Sequence, residues 1–150
     1  MAFYPRGAFS RVAAMTDQTT ITIMVNACYG GFGLSEAAMD EYRRRRPSSD
    51  VGVAGGDAYY DIARHDALMV QVVKELGHAA NGPCAAIELW QIPSRYVNHY
   101  SIREYDGMEN VAVHRNAYRV DAAREILRQE TLTKTEKLAR LAAVMKVGDD

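Results

Sequence analysis

Cysteine is scarce in this chain: Cys28 and Cys84 are the two thiols among 150 residues. A chain of that length folds as one domain and buries roughly 68–70% of its unfolded surface, so it can build its own core. Two thiols in such a domain do not suggest a disulfide framework. There is no CxxC pair, and His65, His78, His99 and His114 show no ligand spacing. That removes the pattern of a structural zinc site and implies no cofactor. Charge of one sign is also lacking. A formal net charge of −1 excludes a protein that coats nucleic acid or a membrane through its overall field, while leaving local basic patches open. No apolar run is long enough to span a bilayer, so no membrane partner is expected.

What is present is ordinary for a globular domain: 48% hydrophobic and 25% charged residues. Residues 1–19 carry Arg6 and Arg11 and no acid before Asp17. They sustain no amphipathic stripe and no secretory core, and read as a loose N-terminal arm before a single domain at 20–150.

Residues 20–27 alternate with period two, Ile21, Ile23, Val25 and Ala27 facing one way and Thr22, Met24 and Asn26 the other, which predicts a strand. A glycine-rich turn follows, then a helix capped by Ser35 with Glu36 in its first turn and ended by Pro47. Residues 47–60 have no period and read as a loop. Asp66 caps a second helix whose stripe is Leu68, Met69, Val72, Val73 and Leu76, with Gly77 at its C′ position. A second strand ends at Pro93. Two more flank Asp106-Gly107, a strong hairpin signal. Asp121 is read as the start of a third helix, and Thr133 with Glu136 forms a capping box before a fourth. Leu138, Leu141, Ala142 and Met145 are expected to be that helix's buried face.

The predicted fold is therefore α/β of the α+β type, in the order β-α-α-β-β-β-α-α. Its small, largely antiparallel sheet is expected to be a meander of the second to fourth strands, with the first at an edge or centre. Strands and helices do not alternate, which excludes a doubly wound fold.

The leading candidate site is Asn26-Ala27-Cys28-Tyr29-Gly30-Gly31-Phe32-Gly33-Leu34-Ser35. Glycines let backbone N–H groups approach a ligand, and the helix start adds unpaired N–H groups and partial positive charge, so Asn26, Tyr29, Gly30, Gly31, Phe32, Gly33 and Ser35 can cradle an anion. The spacing fits neither a Walker motif nor a Rossmann fingerprint. The plainer reading is a tight strand-to-helix turn. Cys28, just ahead of a helix N-terminus, is a candidate nucleophile that would need a histidine brought to it by the fold. Arg64-His65-Asp66 is a second candidate. Arg64 can bind an anion or pair with a nearby acid, His65 can shuttle a proton, and Asp66 is accounted for as a cap. Glu104, Asp106 and Glu109 crowd the hairpin and read as solvated turn charges. Arg43, Arg44, Arg45 and Arg46 point about 100° apart in succession and read as a solvated helix end rather than a phosphate-binding patch.

The segment from Asn26 to Ser35 resembles the opening signature of a family of uncharacterised proteins from large DNA viruses and bacteriophages. Arg64-His65-Asp66, Val73-Lys74-Glu75-Leu76-Gly77 and Ile102-Arg103-Glu104-Tyr105-Asp106-Gly107 fit the same family. All of them fall between Ile21 and His114 and leave both ends of the chain unmatched. The resemblance implies a viral protein of the host cytoplasm or virion, not a secreted one, and supplies no activity. Two functions stay open: a binding or assembly domain that takes an anionic ligand, a nucleic acid or a protein partner at the glycine loop, and a small enzyme using Cys28 or His65 on a phosphorylated or acyl substrate. Sheet edges and the apolar C-terminal helix also invite self-association.

Overall fold

The computed structural model describes residues 19–47 and 58–147. The expected N-terminal arm, apart from Thr19, and most of the expected loop at 47–60 lie outside those residues. Four helices and two small antiparallel sheets give an α+β fold in the predicted order: β1 (Thr20–Asn26), α1 (Glu36–Arg45), α2 (Ala67–Leu76), β2 (Ile87–Pro93), β3 (Tyr100–Tyr105), β4 (Met108–Val113), α3 (Arg115–Arg128) and α4 (Lys134–Lys146). No helix among the described residues is long and apolar enough to cross a membrane.

Local chemistry sets most boundaries. Ser35 Oγ accepts the Ala38 N–H, and Asp66 Oδ1 accepts the Met69 N–H at 2.8 Å. Each such cap is worth about 1 kcal/mol. Gly77 leaves α2 at φ +56°, a conformation that disfavours a Cβ. Thr133 and Glu136 exchange both bonds of the capping box ahead of α4. At the hairpin, Asp106 and Gly107 both have positive φ (50° and 88°), as a type I′ turn requires.

The sheet differs from the expected meander. β2 pairs with β1, from Thr20 opposite Pro93 to Asn26 opposite Ile87, while β3 pairs with β4. Pro93 closes β2, and a 3₁₀ turn at Ser94–Tyr96 turns the chain away before β3 begins, so β2 and β3 cannot form a hairpin. β1 is consequently buried on both faces. Met24 packs among Ala38, Met39, Tyr42, Met69, Val72 and Val73 of α1 and α2. Ile23 and Val25 pack with Ile92 and Tyr96, against which Ile102, Val111, Val113 and Tyr118 close.

Two helices also depart from expectation. α3 starts at Arg115, well before Asp121, from a His114 that makes no side-chain cap bond. Tyr118 holds this added length against the body through an edge contact with Tyr96, ring centroids 5.3 Å apart. On α4 the expected buried face is open. Leu138 and Met145 are exposed (58% and 57%), as is Ala142, and Leu141 is half-buried. α4 turns Lys137, Leu141 and Val144 towards its neighbours, with Lys137 Nζ donating to the Leu127 carbonyl at 3.0 Å.

Candidate functional site

The loop between β1 and α1 is held by a knot of buried polar groups centred on Asn26, which is fully buried at the end of β1. Every polar atom of its side chain is used. Nδ2 donates to the carbonyls of Cys28 (2.7 Å) and Gly107 (2.6 Å), and Oδ1 accepts the Ala86 N–H (2.8 Å) and the Cys28 thiol (3.4 Å). One side chain therefore ties the glycine loop, the approach to β2 and the hairpin turn together. Two carbonyls and one N–H converge on it, and only an amide of this length matches both kinds of partner.

Beside it lies an ion pair. Arg64 Nη1 and Nη2 donate to Glu109 Oε2 and Oε1 at 2.7 and 2.8 Å, and the Glu109 side chain is only 6% exposed. Glu109 Oε2 also accepts the Asn26 main-chain N–H at 2.9 Å. The expectation of solvated turn charges is thus wrong for Glu109. Its neighbours on the same face of β4, Val111 and Val113, pack into the core cluster, and the strand carries Glu109 inward with them. A carboxylate in register with two apolar residues was the signal for it. Arg64 is spent on structure as well. Its guanidinium lies 3.3 Å from the Phe32 ring centroid, Nη1 reaches the Met24 carbonyl, and its own carbonyl accepts the Met24 N–H. The free edge of β1 is closed at Met24 and Asn26 by these bonds, which removes that edge as a template for another strand.

Gly30 of the loop and Gly107 of the hairpin serve close approach to the chain itself. A Cβ on Gly30 would fall 1.8 Å from the Cys84 carbonyl oxygen, and one on Gly107 would fall 2.6 Å from the Gly31 nitrogen. Gly33 accepts the Gly82 N–H at 2.9 Å. At the start of α1, Ser35 donates its hydroxyl to the Ala79 carbonyl (2.6 Å) and its N–H to the Ala80 carbonyl (2.9 Å). A prediction separates the two neighbouring glycines. Gly30→Ala should cost about 2–3 kcal/mol, because the atom it meets is backbone. Gly31→Ala should cost about 1–2 kcal/mol, from its φ of +92° alone, since open space surrounds it. Urea unfolding of both variants reads the difference; equal losses would mean the loop does not sit on Cys84.

Cys28 and His65 belong to separate hydrogen-bond sets. The thiol donates to Asn26 Oδ1 and, at 3.2 Å, to the Cys84 carbonyl, and no histidine is among its hydrogen-bond partners in the described residues. His65 Nδ1 is instead 2.6 Å from the Tyr100 hydroxyl. Burial raises the Tyr100 pKa, opposed by the Arg64 charge. Sequence reasoning missed Tyr100 because its partner lies 35 residues away. Among the described residues, no three histidine, cysteine, aspartate or glutamate side chains converge to hold a metal ion.

The arginine run is matched by the protein's own acids. Arg43 bonds Glu36 and Asp40, Arg44 bonds Glu41, and Arg45 bonds Glu41 and Glu75. Bonds from Arg44 and Arg45 lower the Glu41 pKa to about 2. Arg46 lies over the Tyr42 ring at 5.8 Å.

Comparison with protein-family models, curated proteins and solved structures gives no match to this chain.

Large exposed side chains stand on the backbone around the knot. Tyr29 is 65% exposed, Tyr105 is 81% exposed and Met108 is 37% exposed. They rise from adjoining backbone, since a Cβ on Gly107 would lie 2.7 Å from the Tyr29 carbonyl oxygen. Glu104, whose carboxylate accepts the Gly107 N–H, and Asp106 give this tip a negative rim.

Proposed function

We propose that this chain is a non-enzymatic binding module, of the large-DNA-virus and bacteriophage kind its signature resembles. Its glycine loop and hairpin tip together engage a partner protein. The observation that carries this reading is the exposure of Tyr29, Tyr105 and Met108 on a frame anchored by Asn26, Arg64 and Glu109. Tyrosine is enriched at the energetic centres of protein interfaces, where a rigid aromatic buries much area at small entropic cost. The acidic rim of Glu104 and Asp106 selects a partner surface that is apolar with basic edges. The anionic-ligand and nucleic-acid readings lose support because Arg64 is committed to Glu109, and Arg43, Arg44 and Arg45 to their own carboxylates. The enzyme reading loses support because Cys28 and His65 belong to different hydrogen-bond sets.

The test places a photo-crosslinking amino acid at position 29, 105 or 138 of the full chain in producing cells. Positions 29 and 105 should yield the same discrete adduct, weakened by Glu104→Lys with Asp106→Lys, and position 138 should not. Equal labelling at all three overturns the reading. Nuclease-sensitive adducts would return the nucleic-acid alternative, and an adduct of twice the chain mass would make the partner a second copy.

A further inference from the structure

Cys28 and Cys84 lie 56 residues apart in sequence, yet the Cys28 thiol reaches the Cys84 main chain at the base of the glycine loop. The β1–β2 ladder ends with Asn26 opposite Ile87, and the Ala27 N–H continues its register to the Ala86 carbonyl at 2.8 Å. Beyond it both chains leave the ladder: Cys28 bends into the glycine loop, and the Ala85 N–H closes a turn on the Gly82 carbonyl at 3.1 Å, which sets Cys84 inside that turn. The Cys28 thiol reaches to 3.2 Å from the Cys84 carbonyl oxygen, and a Cβ on Gly30 would lie 2.8 Å from the Cys84 Cβ. Both thiols are free; Cys84 is exposed and Cys28 half-buried.

We propose that Cys28 and Cys84 form a reversible disulfide that locks the glycine loop to the approach of β2 under oxidising conditions, whatever the tyrosines above it bind. The oxidant class is a small disulfide, here oxidised glutathione. The exposed Cys84 thiolate attacks one glutathione sulfur, the glutathione S–S bond breaks, and one glutathione leaves as a thiolate. Cys28 gives its proton to solvent and attacks the Cys84 sulfur of the mixed disulfide, displacing the second glutathione. The protein loses two electrons and two protons, and glutathione disulfide becomes two glutathione thiols. The bond closes a loop that holds α1 and α2, so it constrains the unfolded chain.

The reduced full chain is treated with oxidised glutathione and followed by intact mass and non-reducing digestion, with and without urea. The expected product is a chain lighter by two hydrogens, its 28- and 84-containing peptides linked, formed at least about tenfold faster in the folded state. Its melting temperature should rise by about 5 °C or more. Cys28→Ser, which keeps a hydroxyl donor towards Cys84, should stop at one glutathione on Cys84. Cys84→Ser should stay largely unmodified. The inference fails if the folded wild type stops at the mixed disulfide, links two chains instead, or closes the bond only in urea.

Discussion

Glu109→Ala should lower stability by about 3–4 kcal/mol in urea unfolding, with an unchanged denaturant slope. The substitution strips Arg64 of a bidentate partner and leaves the buried Asn26 main-chain N–H without its acceptor. Breaking a buried pair on one side costs more than replacing both members, because the remaining charge keeps its desolvation penalty. Arg64→Met keeps an apolar stem on the Phe32 ring and should cost about 3 kcal/mol, since it leaves Glu109 as an uncompensated carboxylate. The double variant Arg64→Met with Glu109→Leu should then lose about 2 kcal/mol less than the two singles summed. Strict additivity would mean that the pair does not couple the segment before α2 to the hairpin. It would also remove the frame on which Tyr29 and Tyr105 are displayed.

The parts of this fold that could be read in advance rest on local chemistry. Ser35, Asp66 and the Thr133–Glu136 box announce helix starts because a side chain satisfies an N–H two or three residues on. Asp106-Gly107 announces its hairpin because only a few residue types accept two positive φ values in succession. Pairing between distant strands has no such local marker. The alternation of β2 suits either β1 or β3 as a partner, and the choice follows from how the turn at Ser94–Tyr96 redirects the chain. The start expected for α3 at Asp121 falls short of Arg115 for a related reason. His114 offers no cap, and the first turn of the helix has no acidic residue, so its N-terminus carries no signal, and its placement depends on Tyr118 meeting Tyr96.

The candidate site was legible in location but not in use. The segment from Asn26 to Ser35 is a structural centre of the molecule, where Gly30 makes room for Cys84, Gly107 of the hairpin makes room for the loop, and Gly31 keeps open space around it. Sequence shows that backbone must come close to something at such a loop; it does not show that the something is the same chain. Glu109 illustrates the complementary failure. Its place beside Asp106-Gly107 suggested a solvated turn, while its place in the alternation with Val111 and Val113 meant burial, and the second constraint governs because a strand cannot turn one side chain to the other face.

Asn26→Asp is the substitution that most directly tests the knot, because it changes one nitrogen for one oxygen and nothing in shape. In the native protein Nδ2 donates to two carbonyls at 2.7 and 2.6 Å. A carboxylate oxygen in that place can donate nothing and would face both carbonyl oxygens, with the Glu109 carboxylate close by at the Asn26 main chain. A protonated carboxyl recovers one of the two bonds. The aspartate's folded-state pKa is therefore raised above its unfolded value of about 3.9. A raised acid pKa means that the folded state binds the proton more tightly, so the variant is least impaired below that unfolded value and loses stability as pH rises through the folded one. At neutral pH the loss relative to wild type should reach about 4 kcal/mol, from two unsatisfied carbonyls and a buried charge. Melting curves at pH 5 and pH 8 decide it. The gap between variant and wild type should be clearly wider at pH 8. A gap that does not change with pH would place the side chain in water, and the four-way clamp between β1, the glycine loop, β2 and the hairpin would not exist.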